Sequence, residues 1–337
     1  MSDPAPRPAS AAEVAALAGV SRSAVSRTFT DGASVSARTR AKVMAAAEAL
    51  NYHVNHLARG LSKDASRPVC LLASNLTRPY HGLLLDALTR RLQAAGRMAM
   101  VINVSTDPQS AGAALAQALS YRASAVVVMS GTPPADMVTA CIDAGQKVIA
   151  INRGEEWPGV HHIRIDYRRA MQEAVTALRA AGCGRIALAG SRKGTPSLAA
   201  REAFFIEACH AQGIDPVVWR GDGSGYAEGQ EAAQALLQGQ APPEGIFCLT
   251  DLMACGLMDM ARDTLALAIP RDLCVIGFDD IPQAGWAGYG LTSFGQPYDR
   301  IAARVEEILL GEEPASRLET PLIWRQSVRS AKEPPRG

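Results

Sequence analysis

The chain has 337 residues, of which 48% are hydrophobic and 20% charged, with a formal net charge of +1. That length accommodates two or three domains, and that apolar content excludes global disorder. The near-neutral balance excludes a uniformly basic nucleic-acid binder. The charge is unevenly spread, however: residues 1–65 hold eight Lys and Arg against five Asp and Glu, the remainder 26 against 28. Any contact with phosphates is therefore expected at the N-terminal end.

MSDPAPRPAS, at the N-terminus, has no apolar stretch, so no signal peptide is expected. No run approaches the roughly 18–20 apolar residues of a membrane span. A cytoplasmic protein without membrane partners follows. The seven cysteines are scattered, with no CxxC pair, and read as buried free thiols of a reducing compartment. No Cys/His spacing suits a metal, and no cofactor is implied.

Residues 1–9 are Pro-rich and expected to be a disordered tail. Ser10 to Glu13 is a capping box opening a first helix, with Val14, Leu17 and Ala18 on its apolar face. Gly19 breaks it. Ser21 caps a second helix running to about Phe29, with Ala24, Val25 and Phe29 inward. Val35-Ser36 starts a third, in which Val43, Ala47 and Leu50 recur at helical spacing. Two short helices joined by a glycine turn and braced by a third make a helix-turn-helix. Arg22, Ser23 and Arg27 then face away from the core. On the residues alone they read equally well as base-reading groups and as a solvated face.

After residues 51–67, which have few apolar side chains, the pattern changes. Apolar runs VCLLA (69–73), MAMVINV (98–104), AVVVM (125–129), KVIAI (147–151), RIALA (185–189), GIFCL (245–249) and CVIGF (274–278) alternate with amphipathic stretches. These stretches lie near 82–95, 109–121, 134–144, 168–181, 197–212, 226–238, 252–267 and 298–310. This predicts α/β architecture with doubly wound parallel sheets in two units. Ligands of such sheets sit beyond the carboxyl ends of the strands, so two facing units place a cleft between them. GDGSGYAEG lacks the spacing of a nucleotide-binding loop and reads as a plain loop. His161-His162 reads as a surface or strand-end pair. No catalytic constellation is evident, so no enzyme is expected.

The stretch from Glu13 to Lys63 carries VA-x-x-AGVS-x-x-x-VSR, then VS-x-x-TR-x-KV, then LNY-x-x-N-x-x-A-x-x-L. It resembles the lactose/purine repressor family. SNLTRPYHGLLLDAL, VIAINR, AAGCGRIALAG, FCLTDLMACG, IPRDLCVIGFDDIP and LTSFGQP extend the similarity over almost the whole chain. The resemblance implies an N-terminal all-α helix-turn-helix domain over 10–50 and a hinge helix and linker over 51–66. It further implies an effector domain of two lobes, like a type I periplasmic binding protein, over 67–332. Lobe 1 would span about 67–163 plus 294–322, and lobe 2 about 164–293 plus 323–332. The implied function is a transcription regulator, by default a repressor, acting as a homodimer on a pseudo-palindromic operator in double-stranded DNA. A small metabolite, a sugar or sugar derivative, would control it. No heptad of leucines follows at the C-terminus, so no tetramer is expected.

Residue by residue, the resemblance assigns Ser10, Ser21, Arg22, Ser23, Ser26 and Arg27 to DNA contact, with Asn55, Ala58 and Leu61 in the hinge. Leu61 matches a leucine wedged into the minor groove, although alone it reads as an ordinary helix-face leucine. Val54 stands where the family usually has proline. The effector cleft would gather Asn75, Tyr80, His81, Asn152, Arg153, Ser197, Arg201, Thr250, Asp251 and Asp279. Trp286 would add an aromatic face. Tyr80 and Trp286 read equally as core aromatics, Asp251 and Asp280 rather as helix caps, and Asn152 rather as cleft wall. An Arg201–Asp279 pair can bracket vicinal hydroxyls. Arg78 replaces a common asparagine, as does Thr250. Arg78, Arg153 and Arg201 together suit an anionic ligand such as a sugar acid or sugar phosphate, unless Arg78 is a solvated surface residue.

Overall fold

A computed structural model describes residues 7, 9–30, 32–53, 67–105, 108–129, 133–153, 156–193, 195–313 and 317–330. Val54, Asn55, Ala58 and Leu61, and most of the expected N-terminal tail, lie outside these residues. The chain divides into two compact units, with the boundary between Ser66 and Arg67. Each is taken by itself.

Among its described residues the first unit holds three helices, α1 (Ala11–Ala18), α2 (Arg22–Thr28) and α3 (Ala37–Ala49). Each is opened by a serine. Ser10 Oγ accepts from the Glu13 amide at 3.3 Å while Glu13 accepts from the Ser10 amide at 2.7 Å, closing the capping box. Ser21 and Ser36 Oγ accept from Ala24 and Thr39 amides, each at 3.2 Å. Such caps contribute about 1 kcal/mol apiece. Gly19 ends α1 at φ 67°, which only glycine adopts without strain. Val14, Val25 and Val43 form the core with Ala15, Ala18, Ala46 and Ala47. Leu17, expected inward, is instead 58% exposed. Ala15 takes its place, because a three-helix core this small closes on short side chains.

The second unit contains two six-stranded sheets. The first comprises β1 (Val69–Ala73), β2 (Ala99–Asn103), β3 (Ala125–Val128), β4 (Lys147–Ile151), β5 (His161–Ile165) and β11 (Arg317–Leu318). Its order is β11-β5-β4-β3-β1-β2, all parallel. The second has β6 (Ile186–Ser191), β7 (Val217–Gly221), β8 (Gly245–Cys248), β9 (Cys274–Asp279), β10 (Thr292–Gly295) and β12 (Leu322–Ile323). It repeats that order as β12-β10-β9-β8-β6-β7, with β12 alone antiparallel. Eight helices cover the sheets among the described residues: α4 (Pro79–Ala94), α5 (Pro108–Ser120), α6 (Ala135–Asp143), α7 (Tyr167–Ala180), α8 (Pro196–Ala211), α9 (Tyr226–Leu237), α10 (Asp251–Asp259) and α11 (Tyr298–Leu310). A short π-helical turn over Met260–Thr264 extends α10.

Continuous apolar runs arise because both faces of each sheet are covered. In β1, Val69, Leu71 and Ala73 enter one core while Cys70 and Leu72 enter another. The first of these cores also receives Phe247, Ile276, Phe278 and Phe294 from the second sheet, so it ties the lobes together. All seven cysteines are buried thiols.

The chain passes between the lobes three times, after β5, after β10 and between β11 and β12. The expected lobe limits shift by one or two residues. Ile165 still pairs in the first sheet, whereas Gly295 and Leu322 pair in the second.

Candidate functional site

Strand ends from both sheets converge on one cavity between the lobes. Its volume is about 670 Å³ including the open mouth. The first lobe contributes Arg78, Pro79, Tyr80, His81 and Arg153. The second contributes Thr195, Ser197, Leu198, Arg201, Ser224, Thr250, Leu252, Asp279 and Ile281. The location follows from topology. In each sheet the strand order reverses beside β1 or β6, and loops after those strands splay apart to leave a crevice.

Arg201, on α8, is the buried centre of the cavity wall. Its terminal nitrogens donate to the Leu249 carbonyl at 2.7 Å and to Asp279 Oδ1 at 3.2 Å. The guanidinium lies 3.7 Å from the centre of the Phe278 ring and 5.1 Å from that of Tyr167, which supports a cation away from water. Gln296 Nε2 also donates to Asp279 Oδ1, at 3.0 Å, and the Tyr298 hydroxyl donates to the Asp279 carbonyl at 3.1 Å. Burial pushes the Asp279 carboxyl above its ordinary range, and the Arg201 charge pulls it back. Asp279 has φ 115° and Asp280 φ 49°, so two consecutive left-handed residues turn the chain out of β9 toward the cavity.

Side-chain hydrogen bonds join the lobes at the cavity. Arg78 donates to Ser224 Oγ at 2.8 Å, and Ser197 Oγ donates to the Asn152 carbonyl at 3.3 Å. Arg78 thus faces the cavity rather than bulk solvent. Tyr80 sits edge-on to His81 with centroids 5.1 Å apart, and 6.0 Å from Tyr298. Burial drives the Tyr80 hydroxyl far upward, keeping it neutral. Burial lowers His81, and the Arg78 and Arg153 charges lower it further. Arg153 donates to the carbonyls of Ile151 and Met129, each at 3.2 Å, so its guanidinium is held at the end of β4.

Four sequence assignments land elsewhere. Asn75 is an exposed turn residue at φ 50°, its carbonyl accepting from His81 Nδ1 at 3.3 Å. Asn152 lies just behind the wall, its Oδ1 accepting from the Ile165 amide at 3.1 Å. Trp286 is 56% exposed and does not line the cavity. A 3-10 turn over Pro282–Gly285 follows Ile281 and carries it to the surface. Asp251 is fully buried but neither lines the cavity nor caps α10. Thr250 is the cap, accepting from the Met253 amide at 3.3 Å. Asp251 instead holds the Ile281 amide at 2.9 Å and Ser293 Oγ at 2.6 Å, fixing the end of the Asp279 loop. Asp280 caps nothing either, since it pairs with Arg325 at 2.7 Å.

Sequence reasoning also missed Ser224, which lies in the glycine-rich GDGSG read as a plain loop. The available signal was its place between an apolar run and a helix start. Gln296 and Tyr298 were missed because they act behind Asp279.

In the first unit, Arg22, Ser23, Ser26 and Arg27 are exposed on α2, one helical turn apart in pairs, opposite Val25 and Thr28. Ser10 and Ser21 supply the helix caps already described.

Residues 11–55 match the model of bacterial regulatory proteins of the lacI family, and residues 175–328 that of a periplasmic binding protein-like domain. The chain is similar to the HTH-type transcriptional regulator AscG of Escherichia coli (strain K12), at 28% identity over 88% of this chain and 89% of that one. It is similar to the HTH-type transcriptional repressor CytR of the same strain, at 26% identity over 89% and 88%. Among solved structures, the Lac repressor bound to ONPG in its repressed state matches with a TM-score of 0.85 at 23% identity, over 96% of this chain and 100% of that one. The complex of the transcriptional regulator CelR with cellobiose matches with a TM-score of 0.67 at 24% identity, over 95% and 100%. The structural matches speak for the fold; the sequence relatives are regulators, not enzymes.

Proposed function

Since the chain belongs to the lacI family of bacterial regulatory proteins and is a DNA-binding transcription regulator, we propose that it is a homodimeric repressor, released from its operator when a sugar or sugar derivative fills the cleft between its lobes. The observation that carries this reading is the buried Arg201–Asp279 pair at the centre of a cavity lined from both lobes. A guanidinium and a carboxylate side by side offer donors and acceptors to adjacent hydroxyls. Tyr80 supplies an apolar face to a ring. That CelR, of like fold, is seen with cellobiose agrees with this class of ligand.

Control follows from the inter-lobe hydrogen bonds. A ligand bridging the same walls favours one relative setting of the lobes over another. A coupling of about 1–3 kcal/mol to DNA binding changes operator affinity about 5–150-fold. Arg22 and Arg27 on the exposed face of α2 are the base and phosphate contacts we assign, with Ser23 and Ser26 beside them. The hinge residues Asn55, Ala58 and Leu61 would complete the contact in the minor groove.

A dimer is supported by apolar surface. Met98 and Val101, 43% and 40% exposed, lie on the edge strand β2 and just before it. Trp286 and Tyr226, 56% and 39% exposed, lie on the second lobe. Paired heads then match a two-fold operator, and the place of action is the nucleoid. No helix among the described residues is long and apolar enough to cross a membrane.

Sequencing of genomic fragments retained by the purified protein tests the reading. A pseudo-palindrome of two adjacent half-sites is expected. A pool with no enriched sequence, with and without metabolite extract, refutes it.

A further inference from the structure

We propose that Cys183 and Cys274 are a modification site, a dithiol that a peroxide oxidises to a disulfide at the end of the second lobe away from the cleft.

The sheet brings the two thiols together. β8 and β9 run parallel with Gly245 and Cys274 as Cα partners, about 4.8 Å apart, and side chains at such paired positions share a face. Gly245 leaves that place empty. A Cβ built on it would lie 3.0 Å from Cys183 Sγ and 3.1 Å from Cys183 Cβ. The Cys183 side chain, from the turn between α7 and β6, therefore stands where a residue-245 side chain would be, against Cys274. The two thiols are hydrogen-bonded to each other. Both are buried, yet they lie close under the surface. Cys183 sits between exposed Gly182 and Gly184, and Asp272, two positions before Cys274, is exposed.

Arg329 binds both sulfurs. Its amide donates to Cys274 Sγ and its Nη2 to Cys183 Sγ, each at 3.4 Å. The same guanidinium donates to the carbonyls of Ala181, Pro270 and Arg271 at 3.0, 2.9 and 2.9 Å, which fixes it over the pair. A donor and a cation beside a sulfur favour the thiolate. The bond from Cys183, joined by the Arg329 amide and charge, holds the Cys274 thiol below its ordinary range against the effect of burial. The same bond and burial push Cys183 up. Burial also pushes up the other five thiols, away from the reactive form.

This asymmetry gives each sulfur a part. The Cys274 thiolate attacks one oxygen of hydrogen peroxide and the O–O bond breaks. Hydroxide leaves and takes up the proton that Cys274 released, giving one water and a sulfenic acid. Cys183 sulfur then attacks the Cys274 sulfur and displaces the hydroxyl, which leaves with the Cys183 proton as a second water. Two thiols are oxidised to one disulfide and one peroxide is reduced to two waters. The new bond fastens the start of β9, the strand that ends at Asp279.

The test is a thiol map of the full-length protein. Reduced protein is exposed to hydrogen peroxide, cleared with catalase, unfolded in the presence of an alkylating maleimide and digested with trypsin. Cleavage at arginine places Cys183 on residues 180–185 and Cys274 on residues 272–300. Mass spectrometry should find these two peptides joined, the pair consumed about tenfold faster than the other five thiols, and the link lost on adding dithiothreitol. In C183S the sulfenic acid on Cys274 should persist and be trapped by dimedone. In C274S Cys183 should stay fully alkylated. Equal alkylation of all seven thiols in the wild type, or a link between other cysteines, overturns the proposal whether or not the variants fold. Dimedone capture at Cys183 rather than Cys274 overturns the assignment of parts.

Discussion

Removing one charge from the Arg201–Asp279 pair should cost very different amounts depending on which partner is changed. The two side chains are only 4% and 8% exposed. In Asp279→Asn the shape of the site and the Oδ1 acceptor for Arg201 and Gln296 survive, but the guanidinium stays buried with neutral acceptors and two rings beside it and no carboxylate. Arginine cannot shed its proton, so the loss falls in the range for a broken buried pair, about 3–5 kcal/mol. The lower end is expected, because Asp279 and Asp251 repel each other and the substitution relieves that. In Arg201→Met the orphan is a carboxyl, which can neutralise itself by keeping a proton. Its folded pKa is then raised above the unfolded value. The penalty is therefore small at pH 5 and grows as pH rises through the folded pKa. Urea unfolding followed by far-UV circular dichroism at pH 5 and pH 8 measures both. The reasoning fails if Asp279→Asn lies within about 1 kcal/mol of wild type at both pH values, or if Arg201→Met is the worse variant at pH 5.

Three further expectations concern other links of the chain. Burial first, and Asp279 second, raise Asp251 from 3.8 to about 7. The unfolded chain then releases this proton before the folded one does, so stability falls as pH rises from about 4 to about 7. Asp251→Asn should remove that fall, and parallel pH profiles of the urea midpoint would exclude it. A Cβ on Gly256 would stand 1.9 Å from the Tyr226 carbonyl oxygen. Gly256→Ala should thus prise α10 from α9 and cost about 1–3 kcal/mol, and a loss under about 0.5 kcal/mol in denaturant titration would show that the helices simply slide. Finally, Arg22→Ala should weaken operator binding more than random-DNA binding while hardly changing the salt slope. Equal losses on both, by fluorescence anisotropy, would relegate Arg22 to a phosphate contact.

The elements visible in the sequence were those whose burial is one-sided or complete. α7 shows its apolar stripe at helical spacing, and β1, β3 and β9 up to Phe278 are unbroken apolar text. β5 was not legible as a strand. Its HHIRI lies near the sheet edge, half-covered, with polar side chains at three of five positions. β11 and β12 have two residues each and exist only because a sheet edge receives them. The site divided in the same way. Arg201 and Asp279 stand in text that the family resemblance could place. Ser224 was hidden in a glycine-rich turn, and the direction of Arg78 depends on a hydroxyl 146 positions away in sequence. Asp251 was misread because a helix-start aspartate usually caps, whereas here Thr250 does so and frees the carboxylate to hold the loop after β9.

The threefold passage of the chain between the lobes also governs how the molecule is made. Neither sheet receives the second of its two edge strands until residues 317–323 have been synthesised. α11, which packs on α4 more than 200 positions earlier, is likewise among the last parts to emerge. A ribosome can therefore release the N-terminal helices as a finished unit long before either lobe is whole, since vectorial synthesis favours units that close on themselves. Premature termination after Leu310 would strip an edge strand from both sheets at once. The nascent regulator thus carries a complete head well before the part that is to govern it.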